Sequence, residues 1–206
     1  MSDDLPMGHR LVWIFLALFL LGFMSFAIYS RLQNPTPPLP VLGQVTGFSF
    51  QDHRGKTLTA ADLKGSPWIA DFIFTRCAGT CNVMTSAMVA LNKQIPEDSD
   101  VKLVSFSMDP EHDTPQVLAE YAKTQGAEHP RWYFLTGKRD EMYKLTRDQF
   151  MQVVTEEGGT VEEPIVHSTR FVLVDRRGRI RGLYPGQEKE GIEKLLADLK
   201  KLERER

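Results

Sequence analysis

The chain has 206 residues, with 25 lysines and arginines against 27 aspartates and glutamates, so its formal net charge is -2. This balance lacks the basic excess typical of nucleic-acid-binding proteins, and two cysteines are too few for a scaffold held together by disulfides. Once an N-terminal hydrophobic segment is set aside, roughly 165 residues are left, which suits one domain with a full core.

The N-terminal region predicts a membrane anchor. No charged residue occurs from Leu11 to Tyr29, and a helix of that length spans roughly 28 Å, close to the thickness of a bilayer core. A cleaved signal peptide is the alternative, but Ala27–Ser30 is a poor cleavage site. We therefore predict a cytoplasmic tail (residues 1–10) and a single transmembrane helix (residues 11–30). The absence of a transit peptide favours a bacterial inner membrane, with the following domain on the extracytoplasmic, periplasmic side.

A proline-rich linker is predicted for residues 31–40, because four prolines fall within Gln33–Pro40. Such a segment is extended and semi-rigid, and it would hold the following domain away from the membrane. The domain itself is predicted to occupy residues 41–206.

Within that domain, segments with the patterns of strands and helices alternate. The predicted elements are a hairpin over Phe48–Thr59, strands over Trp68–Phe74, Val101–Met108 and Trp132–Leu135, helices over Asn82–Leu91, Pro115–Gln125 and Gly137–Phe150, a hairpin of Arg170–Val174 and Ile180–Tyr184, and a helix over Glu188–Leu199. This order predicts an α/β fold with a mixed central sheet and helices on both faces. The terminal hairpin, together with cysteines directly after the first central strand, indicates a thioredoxin-like fold.

Both cysteines lie at the predicted turn between that strand and the next helix. Cys77 and Cys81 are four residues apart, so they can close a disulfide or bind one soft metal ion. The unpaired N–H groups at a helix start favour thiolates. Thiol–disulfide enzymes of this fold generally place two residues between their cysteines, whereas this chain has three. Two thiolates suit Cu(I), and an added imidazole would serve both Cu(I) and Cu(II).

His167 is the best candidate for that imidazole. It directly precedes the predicted strand Arg170–Val174, and in a thioredoxin-like sheet the entry to this strand lies near the cysteine turn. The other histidines occur ahead of the anchor or in predicted turns and loops: His9, His53, His112 and His129.

The sequence resembles the SCO/SenC family of membrane-anchored, thioredoxin-like copper proteins. Three blocks carry the resemblance: Asp71–Cys81, Val104–Pro115 and His167–Asp175. The resemblance implies copper ligands at Cys77, Cys81 and His167. It also implies a role in assembling the Cu(A) centre of cytochrome c oxidase, with the oxidase subunit that carries this centre as partner. The family usually has proline after each cysteine, where this chain has Ala78 and Asn82.

The function predicted from these features is that of a metallochaperone, which passes copper (Cu(I), Cu(II) or both) to its partner by ligand exchange. Disulfide formation between Cys77 and Cys81 would abolish metal binding. The alternatives are an enzyme, a thiol–disulfide oxidoreductase that reduces the oxidase subunit's cysteines, and a redox or copper sensor.

Several neighbouring residues are predicted to support the site. Asp71 lies in an otherwise apolar strand, where a buried carboxylate would have a raised pKa and could relay protons; a hydrogen-bonded structural role is the alternative. Arg76 would lower the pKa of Cys77 unless it faces solvent. The resemblance implies that Asp109 and Asp113, in one loop, support the site or a docking surface. Met84 and Met88 are predicted to be core residues.

Overall fold

In the computed structural model of the chain, residues 7–33, 37–77, 79–150, 154–155 and 166–205 are described. They belong to two compact units, Met1–Pro38 and Leu39–Arg206. The first unit contains helix α1 (Met7–Gln33), whose described apolar side chains between Leu11 and Tyr29 are mostly exposed. Among the described residues, no helix combines the length and apolarity needed for a membrane crossing. The structure therefore does not confirm the predicted transmembrane helix at residues 11–30.

The second unit is built on a mixed eight-stranded sheet in the order β1-β10-β9-β4-β5-β6-β2-β3. The strands β4, β5 and β6 are parallel, and the others pair antiparallel. A separate antiparallel pair is formed by β7 and β8. The strands are β1 (Gly43–Gln44), β2 (Ser49–Asp52), β3 (Thr57–Thr59), β4 (Trp68–Ile73), β5 (Lys102–Ser107), β6 (Trp132–Thr136), β7 (Val154–Thr155), β8 (Val166–His167), β9 (Arg170–Val174) and β10 (Arg179–Pro185).

Helices cover both faces of this sheet, as the sequence predicts. They are α2 (Thr80–Asn92), α3 (Pro115–Thr124), α4 (Arg139–Asp148) and α5 (Lys189–Arg204). On one face, the ring of Tyr121 from α3 contacts Phe134, and its hydroxyl lies 2.8 Å from that of Thr85 in α2. On the other face, Phe150, just after α4, packs against the rings of Phe72 and Phe106.

Local chemistry explains two helix boundaries. Helix α3 begins where predicted, because Thr114 accepts a hydrogen bond from the backbone N–H of Val117 and Pro115 occupies the first helical position. Helix α5 runs to Arg204, five residues beyond the predicted end at Leu199, because Leu202 continues the buried stripe.

One edge of the sheet, at the carboxyl ends of β4 and β5, brings together the three sequence blocks that carry the family resemblance. Strands β4 and β5 are parallel, so their carboxyl ends share this edge, and Met108 donates a hydrogen bond to the carbonyl of Ile73 there. Strand β9 is antiparallel to β4, with Ala70 opposite Val172. The start of β9 at Arg170 therefore lies at the same edge as the turn that follows β4.

Candidate metal centre

The two cysteines lie at the start of α2, and one of them completes the helix terminus. Gly79 is the N-cap residue and has no side chain with which to cap the helix. Instead, the Cys77 sulfur accepts the backbone N–H of Cys81 at 3.2 Å, which satisfies a donor that α2 leaves unpaired. Helix α2 begins at Thr80, two residues before the predicted start, so Cys81 lies within its first turn.

Both thiols are largely shielded from solvent. Cys77 is 3% exposed and Cys81 0%. Burial raises the pKa of the Cys81 thiol well above its ordinary value, and the nearby Cys77 and Asp71 add to this, while a backbone hydrogen bond from Phe74 opposes it. At Cys81, desolvation therefore outweighs the preference of a helix start for a thiolate. Binding of a soft metal ion to Cys81 would therefore release the thiol proton.

Asp71 is a fully buried carboxyl group on the α2 and α3 face of β4. It lies opposite Ser105 of β5, whose hydroxyl accepts the indole N–H of Trp132 at 2.9 Å. Neither carboxylate oxygen has a hydrogen bond of normal geometry within the described residues. Burial raises the pKa of Asp71 to about 7, and the Ser105 hydroxyl offsets this only in part. The proton-relay role of Asp71 and the alternative of a hydrogen-bonded structural role both stay predictions.

Arg76 and Asp109 join the cysteine turn to the loop after β5. The Arg76 guanidinium donates to one Asp109 oxygen at 2.8 Å from Nε and 2.5 Å from Nη2. The Arg76 side chain is 53% exposed, while Asp109 is buried. Arg76 is thus both solvent-facing and ion-paired, and Asp109 supports the segment that leads into Cys77.

Asp113, which its loop predicts to support the site or a docking surface, supports the cysteine turn. Its completely buried carboxylate accepts hydrogen bonds from the backbone N–H and hydroxyl of Thr75, at 3.2 and 2.5 Å, and from the Ser107 hydroxyl at 2.6 Å. Charged acceptors of this kind form strong hydrogen bonds. Asp113 therefore fixes the backbone two residues before Cys77. In the sequence, the signal for this role is the position of Asp113 within the Val104–Pro115 block that carries the family resemblance.

The fold brings the backbone of His167 to the edge of the sheet that carries the cysteines. His167 ends β8, pairs with Val154 of β7, and precedes β9 by two residues. After β9 and β10 the chain returns to this edge, where Gly186 donates to the carbonyl of Thr169 and lies against Met84 of α2. The His167 side chain lies outside the described part of the chain, so its role as a ligand stays a prediction.

The methionines after Cys81 and the residue at the second proline site contact other parts of the domain. Met84 and Met88 are fully buried in the core, as predicted. Asn82, at the second site where the family usually has proline, accepts a hydrogen bond from Gln125 at 3.2 Å. Ala78, at the first of these sites, lies outside the described residues.

Comparison with known proteins identifies the family. The SCO1/SenC family model matches residues 42–204. The chain belongs to the SCO1/SenC family. One relative of this SCO1/SenC protein is the SCO1 protein homolog of Bacillus subtilis. It is 35% identical over 163 residues, which cover 78% of this chain and 83% of the relative.

Solved structures resemble this SCO1/SenC protein in fold. A SCO1/SenC family lipoprotein from Bacillus anthracis is 32% identical with a TM-score of 0.74, over 81% of this chain and 99% of that one. BsSco is a member of the Sco family of cytochrome c oxidase assembly proteins with an identified disulfide switch. It is 33% identical with a TM-score of 0.71, over 80% and 96% of the two chains. Arabidopsis thaliana ScoI, solved with copper bound, is 25% identical with a TM-score of 0.62, over 80% and 99%.

Proposed function

We propose that this chain binds one copper ion through Cys77, Cys81 and His167 and delivers it for assembly of the Cu(A) centre of cytochrome c oxidase. The observation that carries the proposal is the pair of buried cysteines on one turn of a SCO1/SenC fold, at the end of the sheet where β9 begins. Copper in the Arabidopsis relative and oxidase assembly for BsSco support the choice of metal and partner.

The donor set fits copper as cargo. Thiolates favour Cu(I), and an imidazole nitrogen is acceptable to both Cu(I) and Cu(II). Because burial raises the pKa of Cys81, loading must release its proton, and unloading to a partner's thiolates returns one. Copper would pass by exchange of one sulfur ligand for another, without being free in solution.

Redox state would control loading. Oxidation of Cys77 and Cys81 to a disulfide gives up two electrons and two protons to an oxidising partner, and it removes both sulfur ligands. The Cys77 sulfur lies 3.2 Å from the backbone nitrogen of Cys81, and a side-chain hydrogen bond joins the two cysteines. This same proximity favours a second candidate function, a thiol–disulfide oxidoreductase that reduces the oxidase subunit's cysteines.

Replacing His167 with alanine separates the two functions. We expect His167→Ala to weaken copper binding by at least about tenfold to a hundredfold, which is the usual effect of losing only an outer partner of a ligand, while disulfide formation by Cys77 and Cys81 continues. Copper affinity and thiol titration of the reduced protein measure the two properties. His129→Ala is the matched control, since His129 contacts Glu97 on the surface. If His167→Ala binds copper as tightly as this control, the ligand assignment is wrong.

We further propose that α1 anchors the chain in the bacterial cell membrane, with residues 41–206 on the extracytoplasmic side. The uncharged run Leu11–Tyr29 and its exposed apolar side chains support this. The full chain should resist extraction from membranes by alkaline carbonate, and protease added to spheroplasts should digest its domain. A chain starting at Val41 is the control and should be extractable. Release of the full chain by carbonate would contradict anchoring.

A further inference from the structure

The loop after β5 carries an imidazole whose two nitrogens have different surroundings. His112 Nδ1 lies 3.1 Å from Asp113 Oδ1 and 3.3 Å from the Thr75 hydroxyl, which itself donates to Asp113. A carboxylate accepts hydrogen bonds, so Nδ1 carries the proton in the neutral ring and Nε2 keeps its lone pair. Metal-binding histidines are commonly oriented by a carboxylate in this way.

The nitrogen of His112 that is left for a metal ion is Nε2, which lies on the side of the ring away from Asp113. Asp109, His112 and Asp113 form one cluster, but Arg76 already pairs with Asp109, and Asp113 already accepts from Thr75 and Ser107. Asp113 therefore orients the imidazole and is not a ligand. One imidazole nitrogen, with water completing the coordination, is acceptable to Cu(II) and makes a weak site that releases its ion readily.

Two other described histidines lack this arrangement. The Nδ1 of His53 accepts the backbone N–H of Phe134, and the Nδ1 of His129 accepts that of Arg131. The Nε2 of His129 also lies 3.4 Å from Glu97. His112 differs because a buried carboxylate holds its Nδ1 while its side chain is 43% exposed.

This cluster is linked to the cysteines through two adjacent residues. Thr75 bonds Asp113 and Arg76 bonds Asp109, and Cys77 follows directly. The Cys77 and Cys81 thiols are buried, so an arriving ion needs an exposed ligand before it reaches them.

We propose that His112, oriented by Asp113, is an outer capture site at which Cu(II) binds through Nε2 before it moves to the cysteines. Transfer breaks the bond from copper to His112 Nε2 and forms bonds to the thiol sulfurs, whose protons pass to water. The copper keeps its oxidation state in this step. The capture site stands on its own geometry, while the transfer step rests on the proposed function.

The capture site is tested in a full chain that lacks the cysteine site. The background variant carries Cys77→Ser, Cys81→Ser and His167→Ala, and it is titrated with Cu(II) while the electron paramagnetic resonance spectrum is recorded. It should bind Cu(II) with nitrogen and oxygen ligands, and adding His112→Asn should weaken this binding by about tenfold or more. His129→Asn in the same background is the control and should change nothing. Absence of Cu(II) binding in the background, or equal affinities for the two histidine variants, would overturn the proposal.

The transfer step has a separate readout. When the reduced full chain is mixed with Cu(II), the absorption band of a thiolate–Cu(II) bond should form about tenfold more slowly in His112→Asn than in His129→Asn, with the same final amplitude. Equal rates would refute His112 as the entry ligand. If the wild-type chain forms no such band, the proposed cysteine site fails, while the background variant still decides whether His112 binds Cu(II).

Discussion

Replacing Cys77 or Cys81 is expected to weaken copper binding by at least about a thousandfold, or about 4 kcal/mol at about 1.4 kcal/mol per factor of ten. A serine hydroxyl stays protonated near neutral pH and is a poor ligand for a soft metal, so each substitution removes a thiolate from the site. The thiolate–Cu(II) absorption band should disappear from Cys77→Ser and Cys81→Ser, and the copper bound per chain should fall from one toward zero.

The burial of Cys81 requires a second variant at that position. Its side chain is inaccessible to solvent, and a buried hydroxyl without a partner costs about 1–3 kcal/mol in protein mutational data. Serine could therefore disturb the fold as well as the ligand set. Cys81→Ala removes the sulfur without adding a polar group, so its copper loss should match that of Cys81→Ser while its stability is higher. One copper per chain with an intact band in either variant would show that Cys81 is not a ligand.

The local elements of this fold could be predicted from the sequence because their signals are local. The apolar run before Cys77 predicts β4, and Thr114 with Pro115 predicts the start of α3. Strands β1, β7 and β8 are each only two residues long. So short a segment carries no hydrophobic pattern, and the sequence alone does not predict these strands. Their pairing depends on distant parts of the chain.

The supporting contacts of the site are likewise non-local. The pair of Arg76 and Asp109 and the bonds from Thr75 to Asp113 join residues more than 30 positions apart. They exist because β4 and β5 are parallel neighbours and their carboxyl ends meet. Sequence could identify Asp109 as a candidate from its block, but the contact to Arg76 requires the order of strands. The same holds for His112, which sequence placed only in a loop.

The environment of Asp71 predicts how stability changes with pH. Its pKa is about 7 in the folded chain against an ordinary value of 3.8. Between these values the unfolded chain has lost this proton while the folded chain still holds it. The free energy of unfolding therefore falls as pH rises through this window. The favourable contribution is complete below about pH 4 and is lost above pH 7. A shift of roughly three pKa units at 1.36 kcal/mol each corresponds to about 4 kcal/mol in total.

Asp71→Asn removes this titration while preserving the shape of the side chain. The stability of the variant relative to wild type should improve by about 3 kcal/mol between pH 4.5 and pH 8, because only the wild type must ionise a buried carboxyl group. Urea unfolding followed by the fluorescence of the buried Trp68 and Trp132 measures this change. Asp62→Asn is the control: hydrogen bonds from Thr59 lower the pKa of this exposed residue below 3.8, so its removal should leave the change between pH 4.5 and pH 8 as in wild type and alter stability only at more acidic pH. A wild-type pH profile retained in Asp71→Asn would mean that Asp71 is already ionised at low pH and finds a partner for its charge.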